Sequence, residues 1–180
     1  MMKAICAALV LMASAAAASA ADGPPPLDGA GVTLNDPLLD HLAGHWNMTG
    51  TLAGRPVKHT VDAEWVLAHQ FLRIHEVGAP DSKTGKPEYE AMPMIGYDNT
   101  SERYVAHWID IFGGRWSEPL GYGKRNGDEI DFVFEYPDGP FHTDFIWNAK
   151  AGTWRWHMTQ KGADGKWHDF ADMMLVKESG

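Results

Sequence analysis

Cysteine is almost missing from this chain: Cys6 is the only one in 180 residues, and it lies in the N-terminal apolar stretch "AICAALVLMASAAAA". Neither a disulfide nor a thiolate-held metal staples the body of the protein, which has to be held by burial. Positive charge is short as well, with 15 Lys and Arg against 24 Asp and Glu and a formal net charge of −9. A surface of that sign, with no basic stripe along it, repels phosphate backbones and argues against a nucleic-acid partner. Catalytic signatures are lacking too: there is no glycine-serine elbow, no phosphate-cradling glycine loop and no cysteine nucleophile. No spacing demands an enzyme, although acid–base work by Asp110, Tyr104 or an inward histidine stays open.

A long hydrophobic run is also absent. Residues 4–18 are apolar, but too few and too rich in alanine for a membrane span. With Lys3 before them and Ala18-Ser19-Ala20 after them, they read as a signal peptide over residues 1–20. Removing it leaves 14 Lys and Arg against 24 Asp and Glu, a formal charge of −10, and no membrane span. A cysteine-free exported product suits the periplasm, or secretion, better than a disulfide-dense module. Residues 21–35, "ADGPPPLDGAGVTLN", are rich in Pro and Gly and read as a flexible leader. The remainder, 36–180, reads as one domain without repeats.

What is present is strand and turn. "NDPLLDHLAG" makes one short helix, capped by Asn35 or Asp36, with Pro37 in its first turn and Gly44 at its end. From Trp46 onward, turn signals such as "TLAGRP", "YDNTSER", "GKRNGDE", "YPDGPF" and "KGADGKW" punctuate alternating segments. The spacing predicts an all-β protein: an antiparallel up-and-down barrel of about eight to ten strands. In "VDAEWVL-AH-QFLRIHEV" one register sets Trp65 against Leu72 and Ala63 against Ile74, with Glu64 meeting Arg73 and Asp62 meeting His75 on the other face. A slip of one residue would destroy both patterns. Around "PDGP" a four-residue loop sets Phe132 against Phe145, Ile130 against Trp147 and Glu135 against His142. Gly121 and Gly123 then fall opposite Phe132 and Ile130, rings or branches that cover a glycine. Trp154, Trp156 and Met158 share a face with Ala171, Met173 and Leu175, while Arg155 meets Asp172 outside.

In the "EAMPMIGY-DNTSER-YVAHWIDIF" hairpin Tyr97 faces Tyr104, which turns Tyr104, Trp108 and Asp110 inward. The outer face then carries Met92, Met94, Val105, His107 and Ile109, too apolar for open water. Its expected cover is the short helix, the leader or a second subunit, the last giving a homodimer through Met92, Met94 and Ile109.

The inward set is Trp65, Tyr104, Trp108, Asp110, Phe132, Phe145, Trp147 and Trp156, either a filled core or the lining of a pocket. Asp110 is the unusual member, because a carboxylate beside Trp108 has to be paired, hydrated or protonated. It either orients a ligand's donor group or bonds a turn backbone or Arg115 at the rim. Asp169 faces inward by the same counting. No three of the nine histidines converge in these registers, so no metal site is expected. His41 and His45 have helical spacing broken by Gly44, His75 and His142 already face carboxylates, and His157 and His168 fall outside.

"LAGHWNMTGT" resembles the glycine–tryptophan start of lipocalin-like (calycin) barrels. "EWVLAHQFLRIHE", "MIGYDNTSERYVAHWID" and "YGKRNGDEIDF" resemble a bacterial family known as domain of unknown function 1579, over Leu38 to Lys177. The resemblance implies a barrel with a short helix at one end, a structural floor at Gly44 and Trp46, and a small apolar ligand inside, with no established reaction. It implies no cofactor outright; nitrobindin-type haem barrels share the opening and use a late histidine as iron ligand, a role for which His157 and His168 are the candidates. The expectation is therefore an exported barrel that binds a small apolar or amphipathic molecule. A haem barrel and a ligand-free interaction module are the alternatives.

Overall fold

The computed structural model describes residues 33–178. The signal segment 1–20, Cys6 and the leader as far as residue 32 lie outside the described residues. Thr33–Asn35, the end of the leader, is docked: the Leu34 backbone N–H donates to the His69 carbonyl at 3.2 Å, and its carbonyl lies 2.9 Å from His69 Nδ1.

Helix α1 (Pro37–Leu42) begins at Asp36, whose carboxylate accepts from the Leu38 and Leu39 backbone N–H groups. Proline at the first helical position loses no hydrogen bond there. Gly44, with φ +128°, turns the chain directly into β1 (Gly44–Leu52). There follow β2 (Arg55–Val66), β3 (Phe71–Gly78), the two-residue β4 (Glu90–Ala91), β5 (Met94–Asp98) and β6 (Arg103–His107). A second short helix, α2 (Gly114–Ser117), precedes β7 (Leu120–Asn126), β8 (Glu129–Tyr136), β9 (Gly139–Asn148), β10 (Thr153–Lys161) and β11 (Trp167–Lys177). Each main strand pairs antiparallel with the next, and β1 pairs with β11, closing a ten-stranded up-and-down barrel. Closure removes the free edges an open sheet would expose. β4 lies on the same side of β3 as β5, separated from it by Pro93, which has no N–H for a ladder but accepts from the Ile74 N–H at 2.9 Å.

Registers agree with the sequence reading where both faces constrain them. Trp65 pairs with Leu72 and Glu64 with Arg73 across β2 and β3, Tyr97 with Tyr104 across β5 and β6, and Trp156 with Met173 across β10 and β11. Around "PDGP" the pairing differs. The loop is only Pro137-Asp138, with Gly139 at φ +126°, so Phe132 faces Thr143, Ile130 faces Phe145 and Glu135 faces Pro140. Across the separate β7–β8 turn the register is likewise displaced by two, and Gly121 and Gly123 face Phe134 and Phe132. This slip of two keeps every side chain on its face, and only the neighbours change. Asp169 changes face. A bulge after Met158 leaves Phe170 unpaired, turning its ring toward the core and Asp169 outward at 80% side-chain exposure.

Alternate residues of each strand fill the interior. Trp154, Trp156, Phe132 and Phe145 are at most 1% exposed, so the middle of the barrel is packed, with no space beside them for water. One end is closed by α1, which buries Leu38, Leu39 and Leu42. Trp46, 2% exposed, donates its indole N–H to the Leu42 carbonyl at 2.7 Å and ties helix to floor. α1 therefore does not cover the apolar outer face of β5 and β6. The β6–β7 connection reaches that face, where the Ser117 carbonyl lies 2.8 Å from His107 Nε2, while Ile109 stays 42% exposed.

Candidate functional site

At the end opposite α1 the packing changes character. β2 and β3 carry apolar side chains inward as far as Val61 and Ile74, and the next inward positions are His59 and Glu76. Both are buried, at 4% and 1% exposure, and His59 Nδ1 lies 2.6 Å from Glu76 Oε1. The other carboxylate oxygen, Oε2, has no hydrogen-bond partner. Among the described residues it is the sole buried side-chain acceptor so placed; the other three such atoms are nitrogens, Arg73 Nε, Trp154 Nε1 and Trp156 Nε1. Leaving a buried acceptor unpaired costs about 1–3 kcal/mol, so the position calls for a donor.

Aromatic and acidic groups surround this pair. The Tyr89 ring lies 5.9 Å from the His59 ring, and its hydroxyl accepts the Trp108 indole N–H at 3.1 Å. Trp108 in turn stands edge-on to Trp156 at 6.4 Å. Asp110, half-buried, accepts from the Phe112 backbone N–H at 2.9 Å. Tyr136 is half-buried and donates to the Trp116 carbonyl at 3.1 Å. Burial raises the Glu76 carboxyl above its ordinary range; the bond and charge of His59 oppose this, and Asp110 adds to it. Burial likewise raises Asp110, and the Phe112 N–H opposes it. Tyr89 is held far above a normal phenol by burial and by Glu76, and Tyr136 is pushed up to about 12 by burial and Asp110. Four acids thus lean toward their neutral forms around one imidazole. On the rim, Ile111 and Phe112 stand 49% and 65% exposed.

This arrangement offers an acceptor of hydrogen bonds or of positive charge at the base of an aromatic wall. It contains no activated nucleophile. Of the inward residues singled out in the sequence, Trp108 and Asp110 belong to it. Phe132, Phe145 and Trp156 form the packed middle, ring against ring at 5.9 and 4.8 Å. Trp65 and Trp147 lie at the floor: Trp65 donates to the Asp40 carboxylate at 2.9 Å, and Trp147 stacks on His41 at 4.7 Å. Tyr104 is buried beside Phe132 and donates its hydroxyl to Asp36. His59, Glu76 and Tyr89 were missed. The alternation that points Ile74 and Ala63 inward also points Glu76 and His59 inward, so a parity count carried to the strand ends would have found two of the three.

A more open groove lies elsewhere. A groove of about 640 Å³ at the α1 end runs between Thr33–Pro37, Tyr97, Asn99, Glu102 and Arg125. Its central carboxylate, Asp36, is fully engaged by Leu38, Leu39, Tyr104 and Arg125, the last at 3.1 Å. Volume and chemistry therefore part company, and the unsatisfied polar atom marks the stronger site.

The histidines find partners other than those expected. His75 stands opposite Asp62 as expected, but its ring lies 2.7 Å from Glu90, which β4 places on the other side of β3, and the Asp62 carboxylate pairs with His45. His142 lies 3.1 Å from Asp131 rather than against Glu135, a consequence of the shorter hairpin loop. His157 and His168, the late candidates for iron, lie on outer faces against Asp144 and Asp169, and against Asp164.

No protein-family model and no curated protein matches the chain. Among solved structures it is similar to the crystal structure of Rv2717c from M. tuberculosis, at 13% sequence identity over 80% of this chain and 99% of that one, with a TM-score of 0.46. Among the described residues no helix is long and apolar enough to cross a membrane.

Proposed function

We propose that the barrel binds a small amphipathic molecule at the mouth opposite α1, its polar donor on Glu76 and Asp110 and its apolar part against Tyr89, Trp108, Tyr136 and the Phe112 rim. The observation that carries this reading is the unpartnered Oε2 of Glu76, buried at the base of an aromatic wall. Buried polar groups are almost always satisfied, and a ligand's N–H or O–H would complete this one. The acids around it favour a neutral or cationic head over a carboxylate. Residues 1–20 support export, which makes the protein a periplasmic or secreted carrier or receptor. It is read as related to the lipocalin-like barrels on the sequence stretches that resemble them. Unlike the usual lipocalin arrangement, the ligand sits above a packed middle and not within it.

Titration with dodecanol, dodecylamine and dodecanoate, followed by tryptophan fluorescence, tests the reading. Saturable quenching by the alcohol or amine is expected, weakened about tenfold in Glu76→Gln, the loss of roughly one good hydrogen bond. Absence of saturable quenching by all three, or an unchanged affinity in E76Q, would overturn it.

A further inference from the structure

On the outer face of β8, β9 and β10, away from the mouth, three side chains line up in register: Asp131, Asp144 and His157, each opposite the next. His142 stands two residues before Asp144 on β9 and so shares its face. One donor atom each from Asp131, His142 and Asp144 lies within 4.8 Å of the other two. His142 Nδ1 is 3.1 Å from Asp131, and Asp144 is 3.5 Å from His157 Nδ1. All four side chains are partly open to solvent.

We propose that Asp131, His142, Asp144 and His157 bind a divalent first-row transition-metal ion. Two imidazoles and two carboxylates are a mixed donor set that fits zinc, cobalt, nickel or manganese, whereas calcium and magnesium take oxygen alone. Bonds of about 2.0–2.2 Å bring ligand atoms to about 3–3.5 Å of one another, so inward movements of about 1 Å would close the Asp131, His142 and Asp144 trio. His157 stands outside that trio, next to Asp144, and completes the set by a larger rotamer change. The strands hold the four Cβ positions fixed while the rotamers adjust. Asp169, 3.0 Å from His157 Nε2, stands where an outer carboxylate orients a metal-bound imidazole. Trp167, edge-on to His142 at 4.5 Å, covers one side.

The charges around the row leave a cation's place open. Asp131 and Asp144 face each other directly, an arrangement that destabilises a sheet. The nearby guanidinium of Arg155 is committed to Asp172 by two bonds of 2.7 and 2.9 Å. Lys124, opposite Asp131 in the β7–β8 register, makes no ion pair with it.

Calorimetric titration of tag-free protein with Zn2+, and absorption spectra with Co2+, test the proposal. One Zn2+ per chain is expected at micromolar or tighter affinity, with visible Co2+ bands of a mixed nitrogen and oxygen site. His142→Ala and Asp144→Asn should each weaken Zn2+ at least tenfold, and His168→Ala, outside the row, should leave it unchanged. Absence of stoichiometric Zn2+ binding, affinity retained in both H142A and D144N, or Ca2+ bound as tightly as Zn2+ would each overturn it.

Discussion

A carboxyl group buried beside a histidine and within the field of a second carboxylate, as Glu76 is, ties stability to pH. Folding raises it above its ordinary 4.5, so the native chain keeps this proton where the unfolded chain has released it. The stabilisation is complete below about pH 4.5 and is lost as pH rises through the raised value. Glu76→Gln keeps the shape and does not titrate. Urea midpoints measured from pH 4.5 to 8 should therefore fall more steeply in the parent than in E76Q; equal slopes would show that Glu76 is not held toward its neutral form. Legibility at this scale is uneven. Trp108 and Asp110 could be placed from alternation alone. The bond between His59 and Glu76 could not, because it joins diagonal neighbours on two strands.

Hairpins show which pairings a linear reading resolves. The β2–β3 pairing was legible because apolar pairs on one face and Glu64 against Arg73 on the other agree on a single register. In β8–β9 a slip of two residues keeps all faces intact, and an attractive match between Glu135 and His142 favoured the longer loop. The tight Pro137-Asp138 turn wins instead, and with it Asp131 comes opposite Asp144. The separate β7–β8 register seats the Phe134 ring on Gly121, where an added Cβ would approach ring carbons to 2.5 Å. Gly121→Ala should therefore cost about 1–3 kcal/mol of unfolding free energy by denaturant titration, the usual range for overpacking. Phe134→Leu frees the space, so the glycine substitution should cost clearly less in that background. Strictly additive losses would mean that the ring does not cover the glycine.

For the whole molecule, closure of the sheet and closure of the floor are separate events. β1 and β11 join the ends of the meander, while α1 is fastened through a few polar contacts at its start. Asp36 caps α1, receives the Tyr104 hydroxyl from β6 and pairs with Arg125 from β7 at 3.1 Å. Asp36→Ala should remove about 2–4 kcal/mol, combining a lost cap with an unpaired buried hydroxyl. Amide exchange should speed up first at Leu38–Leu42 and the Trp46 floor, with the β9–β11 ladder still protected. A loss below about 0.5 kcal/mol, within the range of ordinary surface changes, would show that α1 is held by its leucines alone.

Side-chain period and turn residues were enough, in the sequence alone, to determine an all-β meander, its short capped helix and the face on which nearly every core residue lies. Covalent geometry sends successive side chains to opposite sides, and burial of apolar groups chooses between them. Tertiary structure alone decided what the registers left open: the orphaned oxygen of Glu76 at the mouth, the Asp131–Asp144–His157 row outside and the packed middle. Those outcomes depend on loop lengths, one bulge and the volume enclosed by ten strands. They are set by fitting side chains together in three dimensions, which alternation along a single strand does not specify.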